Sequence, residues 1–253
     1  MALPLKIAGH GVHFDAPEAG RYLAPILVLP GLFQSFQCWR GLTSMLAHRG
    51  WEVYVLARDE EEGSGASGWS AQCEAAANVA AGLGDNVIIF GADIGAAIAM
   101  AACQRVTPLA LGLFAPSLPA PLGHALAASR SILERAKKAS GQAPDKLAKG
   151  TKPADLSSEP VDLLDDIGEG IAFERPSSHP PAIVFAPDGD PLVTSEQALS
   201  FADGELARTS PTRLDGRWWP AKRSAAVADG VHRFLVLTLG DRVVEFPDEI
   251  LAD

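Results

Sequence analysis

The stretch that most constrains this chain of 253 residues is Val87-Ile88-Ile89-Phe90-Gly91-Ala92-Asp93-Ile94-Gly95, followed at once by an alanine-rich apolar run through Ala102. Its apolar head reads as a buried strand, and its apolar tail as a helix. Between them a Gly-X-Asp-X-Gly turn removes Cβ at the two places where strand and helix backbones must approach each other. Asp93 would then stand on a tight corner above the sheet edge, where a nucleophile or a proton-transfer group is held. A plainer use of the same position is an Asp capping the helix N-terminus.

The chain around this turn repeats the strand-helix alternation. Two short strand-like segments about Gly9 form an opening hairpin. Residues 24–29 are an all-apolar strand ending at Pro30-Gly31, and Trp39, Leu42, Met45 and Leu46 then recur at helical spacing up to Gly50. Residues 52–57 give a second apolar strand, 69–83 an alanine-rich helix, 109–115 and 182–186 two more strands, and 195–203 a short helix. Continuous apolar strands separated by helices imply a parallel sheet covered on both faces. From 117 to 180 the composition changes to Gly, Pro, Ser and Lys after one helical stretch at 122–139. That segment reads as a lid inserted in a core made of residues 1–116 and 181–253, because lids over rigid scaffolds commonly set specificity.

Composition narrows the partners. A net charge of −10 repels phosphate over most of the surface, so nucleic acid and anionic membrane are excluded as expected partners. The amino terminus lacks the uninterrupted apolar core of a signal peptide, and no run reaches membrane-spanning length, which places the expectation in the cytoplasm. Cys38, Cys73 and Cys103 share no metal-like spacing and read as reduced apolar residues. His10, His13 and Asp15 fall on both sides of one strand without a fourth ligand, so no metal is expected. Gly63-Ser64-Gly65-Ala66-Ser67-Gly68 matches the dinucleotide pattern Gly-X-Gly-X-X-Gly. It follows a run of four acidic residues, which would oppose a pyrophosphate, so it reads as a solvated loop and no cofactor is expected.

Three groups follow strand ends or lie near the carboxyl terminus in a telling order: Asp93, then Asp190 in Asp188-Gly189-Asp190-Pro191, then His232 in Val231-His232-Arg233-Phe234, read as a loop. With them the chain resembles an α/β-hydrolase over nearly its whole length. The turn Gly91-Ala92-Asp93-Ile94-Gly95 is similar to the aspartate elbow of the epoxide hydrolase and haloalkane dehalogenase branch. Leu29-Pro30-Gly31-Leu32-Phe33-Gln34-Ser35 with Trp39-Arg40 resembles its oxyanion loop. The resemblance implies an α/β fold with a mostly parallel central sheet, and a catalytic triad of nucleophile Asp93, acid Asp190 and base His232. It also implies an oxyanion hole from the backbone amides of Leu32 and Ile94, with Phe33 and Trp39 against a small-molecule substrate; His124, His179 or a tryptophan is a further candidate there as a proton donor, by its place in the lid segment alone. Asp93 would open an epoxide or similar carbon electrophile to give an alkyl-enzyme ester, and His232 would activate the water that hydrolyses it.

The chain also departs from that branch. The family's His-Gly pair is Pro30-Gly31, the halide-binding Trp and Asn positions hold Ile94 and Leu32, and Tyr22 and Tyr54, the two tyrosines, both precede the elbow, so neither lies in a lid. Two other readings therefore stand beside hydrolysis. In one, Asp93 and His232 serve as acid and base in a cyclisation, elimination or decarboxylation of a larger metabolite. In the other, the site binds a ligand without chemistry.

Overall fold

The computed structural model describes residues 3–17, 22–31, 36–56, 66–92, 94–116, 180–187, 196, 209–214, 220–240 and 244–245. The expected lid at 117–180 apart from Pro180, the helix expected over 195–203 apart from Glu196, and the Trp218-Trp219 segment lie outside these residues.

The first two strands, β1 (Leu3–Ile7) and β2 (His10–Asp15), pair antiparallel. Ala8 and Gly9 link them with φ of 50° and 89°, the two positive angles of a turn whose twist suits a hairpin. β3 (Tyr22–Leu29), α1 (Phe36–His48) and β4 (Trp51–Leu56) then make a parallel unit. α2 (Ala66–Gly82), β5 (Ile88–Ala92), α3 (Ile94–Ala102), β6 (Leu111–Phe114), β7 (Ala182–Pro187) and β8 (Thr209–Leu214) follow. A long helix, α4 (Pro220–Leu239), and the two-residue β9 (Val244–Glu245) close the described chain. The helix α2 begins at Ala66, inside the glycine pattern that the sequence reading assigned to a loop.

The strands form one sheet in the order β1-β2-β4-β3-β5-β6-β7-β8, with β9 pairing the start of β3. From β4 to β8 every neighbouring pair is parallel. Side chains of alternate residues point to opposite faces, and here both faces are apolar. Leu27, Leu29, Ile89, Leu111 and Val184 pack under α2 and α3, whereas Ile26, Val28, Ile88, Phe90 and Phe185 pack under α1 and α4. On the second face Phe114 stacks on Phe185 with ring centroids 4.7 Å apart, and Phe90 and Trp39 meet Phe114 edge-on.

The strand order reverses between β3 and β5: α1, which follows β3, packs on one face of the sheet, and α3, which follows β5, on the other. Open α/β sheets bind their ligands beyond the carboxyl ends of the strands at such a reversal.

Candidate active site

β5 is buried to its last residue, Ala92, and α3 starts at Ile94. One residue, Asp93, therefore connects strand to helix. A Cβ on Gly91 would lie 2.2 Å from the carbonyl oxygen of Gly95, and a Cβ on Gly95 would lie 2.1 Å from the carbonyl oxygen of Leu29 and 2.9 Å from that of Pro30. All of these atoms are backbone, which cannot swing aside. The end of β3, the end of β5 and the first turn of α3 thus touch main chain to main chain, and only glycine fits at either position. The reason for the Gly-X-Asp-X-Gly spacing is therefore visible in the packing.

The first turn of α3 presents N–H groups with no partner inside the helix and the positive end of its dipole. The Ile94 amide is at that end, suited to a developing oxyanion. Asp93, Asp190, Leu32, Phe33 and His124 lie outside the described residues, as does the side chain of Ile94. Asp190 follows the last residue of β7, Pro187, by three positions in the chain.

Two sequence expectations are corrected. His232 is not in a loop: it lies well inside α4, and the indole N–H of Trp51 donates to its Nδ1 at 3.0 Å, with the rings at 77°. Trp51 opens β4, at the amino ends of the parallel strands. Val53 and Ile88 are level through their shared neighbour Ile26, so six residues separate Trp51 from Ala92 along the strand direction, about 20 Å at 3.3 Å per residue. His232 thus lies toward the amino edge of the sheet, and Ala92, the residue before Asp93, ends β5 at the carboxyl edge. Trp39 is the second correction. It is 0% exposed in the core against the Phe114 ring, so it supports the site from below and does not face a substrate.

The cause of the first error is β8. Its sequence, Thr-Ser-Pro-Thr-Arg-Leu, is polar and carries Pro211, so it gives little strand signal. At the end of the sheet order it needs hydrogen bonds on one side, which tolerates both features. Between the end of β8 and the start of α4 the sequence is Asp215-Gly216-Arg217-Trp218-Trp219, which contains no histidine.

The amino edge is instead a structural junction. Thr43 of α1 donates a hydrogen bond to the buried Asp15 of β2 at 2.5 Å. Arg49 bonds the Met45 carbonyl at 2.8 Å and pairs with Asp229 of α4. Toward the carboxyl edge, His13 stacks on Phe36, the first residue of α1, with centroids 4.3 Å apart. Among the described residues, no group of three or more His, Cys, Asp or Glu is placed to hold a metal. No helix among them is long and apolar enough to cross a membrane.

Burial pushes the thiol of Cys103 up to about 12. The same cause, opposed by the charge of Arg105, raises Cys73 to about 12. Neither is a ready nucleophile at neutral pH. Tyr54 is also raised to about 12, by burial first and then by the charge of Glu52 and the hydrogen bond to it at 3.3 Å.

No protein-family model matches the chain, and no curated protein matches it in sequence. Solved structures do match in shape. Est816, an N-acyl homoserine lactone degrading enzyme, superposes with a TM-score of 0.62 at 17% identity, over 92% of this chain and 100% of that one. MenH from S. aureus gives 0.65 at 12% identity, over 91% and 99%. Epoxide hydrolase A from Mycobacterium thermoresistibile gives 0.59 at 14% identity, over 98% and 99%. The chain has the α/β-hydrolase fold, and Gly91 and Gly95 pack main chain to main chain where β3 and β5 end and α3 begins.

Proposed function

We propose that the protein is a small-molecule enzyme of α/β-hydrolase fold whose reacting group is the carboxylate of Asp93. The observation that carries this reading is the backbone packing of Gly91 and Gly95 against α3 and β3, which excludes any side chain at the two positions that bracket Ala92-Asp93-Ile94. An aspartate is ionised at pH 7 without help. It can either attack carbon or move a proton. The amides of Leu32 and Ile94 would hold a developing oxyanion, Phe33 and His124 would touch substrate, and Asp190 would share the carboxyl edge.

Attack on an epoxide is the narrower version, and it has two steps. The second needs a base to activate water against the alkyl ester. The bond from Trp51 to His232 toward the amino edge speaks against His232 in that role, and residues 215–219, between β8 and α4, include no histidine. This favours proton transfer by Asp93, in a cyclisation, elimination or decarboxylation, over a covalent ester. No cofactor or metal enters the scheme. The free thiols of Cys38, Cys73 and Cys103 support a reducing, cytoplasmic setting.

The test is turnover of a panel of epoxides and small carbonyl compounds in heavy-oxygen water, followed by mass spectrometry of the peptide containing Asp93. Label in Asp93 supports the ester route. Turnover without label, reduced about 100-fold or more in Asp93→Asn, supports proton transfer. Turnover that survives Asp93→Asn overturns both.

A further inference from the structure

Apolar contact through Val227, Ala228, Val231, Leu235 and Leu239 holds α4 against the sheet. Its polar tie to β4 is of a different kind. The indole N–H of Trp51 donates to Nδ1 of His232 at 3.0 Å, and an indole nitrogen can only donate. Nδ1 therefore offers a lone pair, so the bond exists only while the imidazole is neutral with its proton on Nε2. Trp51 is 0% exposed. Bulk water does not reach the indole to replace the acceptor, and an N–H left unpaired in the core is costly.

The charged groups around the pair do not reward a positive imidazole. α4 itself brings Asp229, one turn before His232, and Arg233 beside it. α1 packs along α4 and brings His48 and, just after its last turn, Arg49. Arg49 is paired with Asp229 and also takes the carboxyl end of α1, through the Met45 carbonyl. β4 brings Glu52, whose side chain alternates to the face opposite Trp51, where Tyr54 donates to it. β7, whose Phe185 approaches Gly230 of α4, carries no ionisable side chain. Asp229 and Glu52 are thus both engaged, while Arg49 and Arg233 oppose a further cation.

A proton on Nδ1 sets an N–H against the indole N–H, and the two rings can no longer stay at hydrogen-bond distance. We propose that the Trp51–His232 bond is an acid-sensitive latch: it holds the carboxyl-terminal half of α4 on the amino edge of the sheet while His232 is neutral, and lets that half loosen when His232 is protonated. The layer so loosened covers the aromatic core around Phe185. Its sign follows from linkage. A fold that accepts the neutral form alone holds the imidazole below its ordinary value of about 6.5, so the stabilisation is full above that pH and is lost as the pH falls through it.

The test titrates the imidazoles of the whole protein, labelled with 15N, from pH 8 to pH 4.5 by NMR. The His232 signals are those missing from His232→Gln, in which the side chain can still accept from the indole but does not titrate. His232 should carry its proton on Nε2 at pH 7.5 and titrate about one unit or more below 6.5. Titration at 6.5 or above overturns the proposal. Loosening is read by amide hydrogen exchange at pH 7.5 and pH 5.0, corrected for the intrinsic pH dependence of exchange. Relative to β5 and β6, residues 231–239 of the wild type should exchange about fivefold faster or more at pH 5.0, the change that a one-unit shift produces there. In His232→Gln the ratio should stay within twofold. The same ratio in the two proteins overturns the latch. So does a wild-type ratio that does not change with pH, which decides the matter should the glutamine variant not fold. Neither measurement involves Asp93 or turnover, so the proposed chemistry stands or falls separately.

Discussion

A methyl group added at Gly95 would have to occupy space 2.1 Å from the Leu29 carbonyl oxygen. Real Cβ atoms do not approach backbone so closely, and neither the central strand nor the first turn of α3 can retreat without opening the sheet. Gly95→Ala should therefore cost about 3 kcal/mol or more, at the upper end of overpacking effects. Urea unfolding followed by far-UV circular dichroism checks this. A cost under 1 kcal/mol would show that the elbow is looser than its packing indicates. The contrast is Gly84, with φ of 97° and nothing within 4 Å of an added Cβ. There the penalty is conformational alone, about 1 kcal/mol. The motif was legible in the sequence because its chemistry is local: two glycines at a fixed spacing around one acidic residue. What those glycines press against, the ends of β3 and α3, was not, since Leu29 and Gly95 meet only when β3 and β5 pair.

At the scale of elements, α4 carries the largest revision. Its buried positions Val227, Ala228, Val231, Leu235 and Leu239 recur at helical spacing and pack beneath the sheet with α1. Gly230 falls inside that stripe and disguised it as a loop, and the histidine motif was then read onto a helix face. Apolar periodicity reports which face is buried, but not at which end of the sheet a helix residue arrives. That depends on the direction of the preceding strand, β8, which its proline and polar residues concealed. A prediction separates the two roles of His232. Replacement by Ala leaves the buried indole N–H of Trp51 without its acceptor, and should lower stability by about 1–2 kcal/mol. Turnover of any substrate found for the enzyme should stay within twofold of wild type at saturating concentration, measured at 15 °C where the variant is folded. A loss of 100-fold or more would restore the histidine to the chemistry. The neighbouring Arg49–Asp229 pair, with side chains 24% and 60% exposed, should matter little, below about 1 kcal/mol for either Ala variant in the same unfolding experiment.

At the scale of the molecule, the central strands β3, β5, β6 and β7 are buried on both faces, and the two cores they separate differ in kind. Under α2 and α3 the contacts are mainly alanine, valine, leucine and isoleucine, with Met100, two cysteines and Tyr54; under α1 and α4 they are dominated by Trp39, Trp51, Phe90, Phe114 and Phe185. Small residues let α3 lie close to the sheet, which the elbow requires, while the aromatic side fills the wider gap beneath α1 and α4. The thiols in the first core give the molecule a response to alkali. Burial raises Cys73 and Cys103 from 9.0 to about 12, and Tyr54, on the same side of the sheet, rises from 10.0 to about 12. Each group is neutral in the folded protein over a range where the unfolded chain ionises it. The sign follows from linkage: the stabilisation is fully present below about pH 9, where both states are protonated, and is lost as the pH rises toward 12. Cys103 alone should contribute a slope of about 1.4 kcal/mol per pH unit within that window, with smaller slopes from the half-buried Cys73 and Tyr54. Unfolding free energies measured from pH 8 to 11 should accordingly fall, and fall less steeply in Cys103→Ala. Equal slopes in the two proteins would mean that the Cys103 thiol ionises as readily in the fold as outside it, and that α3 does not seal its core against hydroxide.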